Sequence, residues 1–232
     1  MSEHEHRSVV AIVPAAGSGQ RFGSAGNKLF ADLAGAPIWL RTIRRLREAP
    51  SMSSIVMPVA QSDQSYFSGF TQQLSELDVH LVNGGAERWQ SVQSGLDWAI
   101  NRRAEFVAVH DAARPLVTVE EIEATIDEAR VADAAILSVP ITGTVRRRTS
   151  QGSTLVDRRE LFSAATPQVF STALLHEAYL NHRGRLATDD GELVQRLGKQ
   201  VATVVGQPTN LKITHPGDLV LAEAILASEL NS

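Results

Sequence analysis

Apolar runs recur along the chain at Val9 to Val13, Ile55 to Ala60, Val79 to Val82, Phe106 to His110, Ala134 to Val139 and Val201 to Val205. Short uninterrupted runs of this kind predict strands buried on both faces. Between them, Pro37 to Arg47, Asp63 to Leu77, Val92 to Asn101 and Val119 to Arg130 place their apolar residues at helical spacing. Thr118 with Glu121 makes a capping box that starts one of these helices, and Asp189 with Glu192 repeats the signal. The alternation predicts an α/β fold, a Rossmann-like, mostly parallel sheet with helices on both faces. Ligands of such sheets bind beyond the carboxyl ends of the strands, so the loops after Val13, Val82, His110 and Val139 are the first places to look for chemistry.

One stretch breaks this pattern. Thr144 to Arg148 and Thr154 to Arg158 are polar and strand-like, joined through the turn signal Gln151-Gly152-Ser153. They hold too few apolar residues to lie inside a sheet, which predicts a projecting β-hairpin arm at about 141–165. A lone hairpin is marginal in water, so pairing with its own copy in a homodimer is expected, against the plainer reading of a surface loop.

A length of 232 residues suits a single domain, 1–232, carrying that arm. With 43% hydrophobic and 21% charged residues the chain is composed like a globular protein that buries a proper core. A net charge of -4 gives no basic face, so no nucleic-acid partner is expected. The absence of cysteine excludes disulfides, thiolate metal sites and thiol catalysis. Met1 to Arg7 is polar and no apolar run is long enough for a membrane, so a cytoplasmic location is expected.

Three post-strand loops carry candidate chemistry. Pro14-Ala15-Ala16-Gly17-Ser18-Gly19-Gln20-Arg21 has small residues that let backbone N–H groups approach a phosphate chain, with Arg21 and Lys28 adding charge. The spacing is neither a Walker motif nor a dinucleotide fingerprint, and a tight strand-to-helix connection would explain the glycines alone. His110-Asp111-Ala112-Ala113-Arg114-Pro115 delivers a carboxylate to a strand end. Facing bound phosphates, Asp111 would need a cation between, which makes it the candidate metal residue. Alternatively it pairs with Arg114 or accepts turn N–H bonds. His110 reads as a packed strand-end residue. The third loop, Asn83 to Ser91, either reads a base edge through Gly85 and Ser91 or simply caps a helix.

Further polar clusters lie at Thr144, Asp157-Arg158, Thr166-Pro167-Gln168, Thr188-Asp189-Asp190 and Asn210 to Thr214. Hydroxyls with Arg158 and Lys212 are what a sugar-phosphate pocket requires. The plainer alternatives are a helix cap for Asp189 and a solvated strand face for Arg146, Arg147 and Arg148.

These blocks, in this order from Val9 to about Leu226, resemble the 2-C-methyl-D-erythritol 4-phosphate cytidylyltransferases. The resemblance is carried by Pro14 to Arg21, Gly84-Gly85 with Arg88 and Ser91-Val92, His110 to Pro115, Thr166-Pro167-Gln168, Thr188-Asp189-Asp190 and Lys212-Ile213-Thr214. It implies a magnesium-dependent transfer of CMP from CTP to a sugar-alcohol phosphate, in a homodimer whose arms complete each other's sites. Under it, Arg21, Lys28, Arg158 and Lys212 are catalytic. Ala15, Ala16, Gly17, Gly19, Gly85, Ser91 and Ala112 line the nucleotide pocket. Asp111, Arg114, Thr144, Thr166 and Thr188 face the substrate, and Asp111 also lies beside the metal, with Arg158 supplied by the partner's arm. The chain departs from the usual family spelling at Asn27 before Lys28, where proline is common, and at Ala86 and Gly143, which replace frequent acidic residues.

Two rivals stand beside this expectation. A pentitol phosphate cytidylyltransferase would share the nucleotide loop but more often carries Ser-Val after the Asp, where this chain has Ala112-Ala113. A non-catalytic nucleotide sensor would have no reason to keep Arg21, Lys28, Asp111 and Lys212 together.

Overall fold

The computed structural model describes residues 8–17, 27–182, 184–185 and 187–229. Ser18 to Gly26 lie outside them, and with these the expected roles of Gly19 and Arg21. The first strand, β1 (Val9–Ile12), runs to the glycine-rich segment. A small hairpin follows, β2 (Asp32–Leu33) with β3 (Ala36–Pro37), and leads into α1 (Ile38–Arg47) and β4 (Met52–Val59). Next come two short helices, α2 (Gln64–Phe67) and α3 (Thr71–Glu76), then β5 (Val79–Asn83), α4 (Arg88–Asn101) and β6 (Phe106–Val109). The second half holds α5 (Val119–Ala132), β7 (Ala134–Pro140), β8 (Val145–Thr149), β9 (Gly152–Val156) and β10 (Phe162–Ser171). It closes with α6 (Thr172–Leu180), α7 (Asp190–Arg196), β11 (Ala202–Val205) and α8 (Pro216–Glu229).

Seven strands form one sheet in the order β11-β7-β10-β6-β1-β4-β5. Every neighbouring pair is parallel except those of β10, which runs antiparallel to both β6 and β7. The central strands are buried on both faces, which is why they read as plain apolar runs. Val9 and Ala11 of β1 point into one core with Trp39 and Ile43 of α1 and Ile122 of α5. Val10 and Ile12 point into the other with Val92 and Leu96 of α4, Leu175 of α6 and Leu193 of α7. The chain moves outward from β1 through β4 to β5 and then returns to the other side of β1 as β6. The carboxyl ends of β1 and β6 therefore flank the topological switch point, where such sheets open a crevice.

One close packing sets α4 against the sheet beneath that crevice. A Cβ on Gly95 would come 2.5 Å from Cγ2 of Ile12, so α4 lies against β1 only because position 95 has no side chain. Gly95→Ala is expected to cost about 1–3 kcal/mol by overpacking, read as a lower denaturant midpoint at unchanged slope. The α5 start shows the expected capping box: Thr118 Oγ1 accepts from the Glu121 N–H at 3.2 Å and Glu121 Oε2 accepts from the Thr118 N–H at 2.9 Å. Glu121 is buried, and its other oxygen accepts from the Gln207 N–H at 2.6 Å, which ties the segment after β11 to the helix.

Three expectations are corrected. The helix foreseen over Asp63 to Leu77 is two helices joined by a 3-10 turn at Ser68–Phe70, where the backbone of Phe70 (φ -118°, ψ 20°) leaves the helical region. The hairpin turn sits earlier than Gln151-Gly152-Ser153, because Thr149 already pairs with Gly152 and the loop is Ser150-Gln151. Arg158 consequently lies beyond β9 instead of inside it. Among the described residues, no helix is long and apolar enough to cross a membrane.

Candidate active site

The glycine-rich segment leaves β1 at Val13, whose N–H donates to the Val56 carbonyl, and Ala15 donates to the Pro58 carbonyl at 2.8 Å. These bonds press Pro14 to Gly17 against the end of β4. On that side the loop after β5 closes over it: the Gly84 N–H donates to the Val59 carbonyl at 2.8 Å, and a Cβ on Gly84 would stand 2.5 Å from that of Ala16. Only glycine at 84 lets the two loops touch. Ser91, in the first turn of α4, accepts from the Gly85 N–H at 3.1 Å and so holds the second loop to the helix.

A cleft of about 510 Å³ opens above these loops, with Ala15, Ala16, Gly17, Lys28, Gly85, Arg88, Ser91, Asp111, Ala112 and Lys212 among its lining. Its centre is Asp111, delivered by β6. The Asp111 N–H donates to Thr166 Oγ1 at 3.0 Å across the β6–β10 pair, and the Asn210 amide donates to the Thr166 carbonyl at 3.0 Å. Three cations surround the carboxylate: Lys212 Nζ at 3.0 Å, Arg114 Nε at 3.2 Å and Arg88 Nε at 3.8 Å. Burial alone would raise its pKa, but Lys212, Arg88 and Arg114 outweigh burial and hold the carboxyl well below the usual range. Of the two readings of Asp111, the pairing with Arg114 is what this structure contains, widened by two further cations.

Arg88 occupies the first position of α4, where a cation opposes the helix dipole. Two carboxylates offset that cost. Its Nη1 lies 2.8 Å from Oδ2 of Asp190 on α7, and its Nε faces Asp111. Burial opposes the charged guanidinium, yet Asp190 and Asp111 keep it protonated. Asp190 is almost wholly buried and accepts from the Tyr179 O–H at 2.6 Å. Burial, reinforced by the Asp190 charge, holds Tyr179 far above its ordinary pKa, so its hydroxyl remains a donor. Gln168 of β10 accepts from the Asp190 and Gly191 N–H groups at 3.2 Å and donates to Asp189 at 3.0 Å, anchoring the start of α7. Arg88, Asp190 and Gln168 stand in the blocks that carry the resemblance but have no individual role in the sequence reading, and Tyr179 is not singled out there. The available signal was an arginine opening a helix directly after a glycine loop.

Lys28 stands on the opposite wall in a short 3-10 turn, Lys28–Phe30, and its Nζ donates to the Ile213 carbonyl at 2.8 Å. Ile213 in turn donates to the Ala113 carbonyl at 2.9 Å, so the Lys212 loop, the Asp111 loop and the Lys28 turn are mutually tied. The structure thus gathers Ala15, Ala16, Gly17, Lys28, Gly85, Ser91, Asp111, Ala112 and Lys212 at one cleft, with Arg114 and Thr166 bonded to Asp111 from behind. It leaves three expected residues apart. Thr144 and Arg158 are exposed on the arm, and Thr188 is exposed with its hydroxyl bonded to Glu192 at 2.9 Å.

His110 is completely buried behind the cleft and donates from Nε2 to the Arg114 carbonyl at 3.1 Å, in keeping with a packed strand-end residue. Burial pushes its pKa down to about 4. Above the unfolded value near 6.5 both states are neutral, and as pH falls toward 4 the unfolded chain takes a proton that the fold refuses. Stability is therefore full above about pH 6.5 and is expected to lose about 3 kcal/mol by pH 4 through this group. His110→Gln, which can keep the bond to Arg114, should flatten that part of the unfolding free energy against pH. An unchanged slope would contradict a neutral buried imidazole.

Among the described residues no group of three or more His, Cys, Asp or Glu could hold a metal. The donor set still suits magnesium, which typically takes one or two carboxylates plus substrate phosphates and water. Asp111 is a carboxylate of the cleft lining, and among the described residues its Oδ1 faces the Arg88 Nε at 3.8 Å.

A mostly parallel α/β sheet with a backbone-lined, cation-rimmed crevice at its switch point defines the class as a binder of phosphorylated ligands. A family model described as 2-C-methyl-D-erythritol 4-phosphate cytidylyltransferase matches residues 9–228, and the chain belongs to that family. It is 46% identical to the enzyme of that name from Rhodopirellula baltica, covering 94% of this chain and 95% of that one. It is 39% identical to the one from Bacillus velezensis, with 95% and 96% covered. The crystal structure of the Thermus thermophilus enzyme matches with a TM-score of 0.77 at 33% identity, covering 94% of this chain and 97% of that one.

Proposed function

We propose that this chain transfers CMP from CTP to the phosphate of 2-C-methyl-D-erythritol 4-phosphate, releasing pyrophosphate, in non-mevalonate isoprenoid biosynthesis. Family membership supports the reaction. The observation that carries the site reading is the set of cations, Lys28, Arg88 and Lys212 in the lining with Arg114 behind, grouped with Asp111 over loops too close-packed for side chains.

The triphosphate lies along Ala15 to Gly17, where the backbone N–H groups of Ala16 and Gly17 serve as donors, and the cytosine meets the loop that Ser91 holds through Gly85. The substrate phosphate is already ionised at neutral pH, so no general base is required. One of its oxygens attacks the α-phosphorus while the bond to the bridging oxygen breaks, and the electron pair leaves on pyrophosphate. Lys28, with Arg21, offsets the charge that grows on the α-phosphate and the leaving group. Lys212 holds and aims the substrate phosphate, with Arg114 behind Asp111 on the substrate side. Thr144, Thr166 and Thr188 complete the substrate side, and Arg158 enters from a second copy's arm. Magnesium, anchored by Asp111, supplies neutralisation of triphosphate charge when bound.

The homodimer is part of this reading. The arm and its base leave Leu155 69% and Phe162 47% exposed, apolar surface that a second copy would cover.

Pyrophosphate release measured over a panel of nucleotides and sugar phosphates tests the assignment. Turnover is expected with CTP, magnesium and methylerythritol phosphate together. Equal turnover with ribitol 5-phosphate would overturn the substrate, and CTP binding without turnover would favour a sensor.

A further inference from the structure

The turn after β4 makes two side-chain bonds in opposite directions from successive residues. Asp63 Oδ2 accepts from the Asn27 amide at 2.9 Å, and the Gln64 amide donates to Asn83 Oδ1 at 2.8 Å. Asn27 immediately precedes Lys28, and Asn83 immediately precedes Gly84-Gly85. Asn27 also caps the Lys28 turn: its Oδ1 accepts from the Leu29 N–H at 3.1 Å, and its φ of -72° lies in the range a proline ring would impose. Both ends of the Asn27 amide are therefore committed, one to the turn that carries Lys28 and the other to Asp63.

We infer that Asp63 and Gln64 form a brace across the mouth of the cleft that fixes the Lys28 wall relative to the glycine-loop wall, with Asn27 as its clasp. All three are positioning residues, since none lines the cleft. The inference rests on the role proposed for Lys28. The Gln64–Asn83 bond is exposed and the Asn27–Asp63 bond only part-buried, so both add little to stability and the brace should show in kinetics more than in folding. A sub-ångström drift of a group that meets transition-state charge costs rate and leaves ground-state binding nearly intact.

The test is a substitution and its reversal in the full chain. Asn27→Asp sets two carboxylates against each other and is expected to lower kcat by about ten-fold or more, with the KM for CTP changed less than about three-fold. Adding Asp63→Asn restores an amide–carboxylate pair of reversed polarity and should recover most of the lost kcat. Gln64→Ala breaks the exposed half alone and should cost kcat about three-fold at unchanged melting temperature, which keeps the brace testable if Asn27→Asp folds poorly. Lys28→Ala is measured alongside. An inactive Lys28→Ala beside fully active Asn27→Asp and Gln64→Ala overturns the brace alone. A fully active Lys28→Ala overturns the role of Lys28 and the brace with it. No recovery in a folded Asn27→Asp/Asp63→Asn double variant also overturns the brace.

Discussion

Lys28→Ala is expected to lower kcat by about a hundred- to a thousand-fold, while the KM for CTP rises less than about five-fold. The ammonium sits on the wall facing the phosphate floor, held by the Ile213 carbonyl at 2.8 Å, so it is in place before ligand arrives. A preplaced charge stabilises the state in which negative charge is greatest, and for phosphoryl chemistry that is the transition state, as pyrophosphate departs. Steady-state kinetics with CTP varied, together with direct CTP binding, separate the two contributions. A raised KM at unchanged kcat would place Lys28 in ground-state binding instead. Arg21→Ala is expected to behave in the same way on the strength of the sequence.

Asp111→Asn should behave in opposite senses with and without metal. With magnesium, turnover is expected to fall about a hundred-fold or more, because the cleft loses the carboxylate proposed to anchor the metal. Without magnesium, pyrophosphate should bind more tightly to the variant than to the parent protein. In the free cleft Asp111 is the counter-ion of Lys212, at 3.0 Å, and Arg114, at 3.2 Å, and removing its charge leaves these cations to an incoming anion. The same loss leaves Arg114, which is mostly buried, without its counter-ion, at a stability cost of about 1–3 kcal/mol, which added pyrophosphate should partly reverse as a raised melting temperature. Calorimetric titration of pyrophosphate in the presence of a chelator reads the sign directly. Weaker binding by the variant would mean that Asp111 contacts ligand itself and does not compete with it.

The parallel strands were legible because β1, β4, β6 and β7 are buried on both faces, and burial of that kind leaves uninterrupted apolar runs. Placing candidate chemistry at strand carboxyl ends likewise led to Ala15, Gly85 and Asp111, which share one cleft. β10 escaped notice because its buried stretch includes Thr166 and Gln168, polar residues used for cross-strand and helix-anchoring bonds, and because its first residues are exposed. α8 has no clean stripe: Ala222 is buried while Val220 and Leu221 beside it are exposed. The Arg88–Asp190–Tyr179 chain was hidden for a different reason. It joins α4, α7 and α6, and a charge pair between distant helices has no local spacing to reveal it. Asn27, a departure from the family spelling in the sequence, gains a physical account only from its bonds to Leu29 and Asp63.

The most direct measurement is phosphorus NMR of the products formed from CTP, 2-C-methyl-D-erythritol 4-phosphate and magnesium by the purified chain. Attack of the substrate phosphate at the α-phosphorus predicts one pyrophosphate for each new cytidylyl diphosphate ester, seen as a coupled pair of resonances. CDP with a phosphorylated acceptor, or CMP with unaltered methylerythritol phosphate, would contradict it.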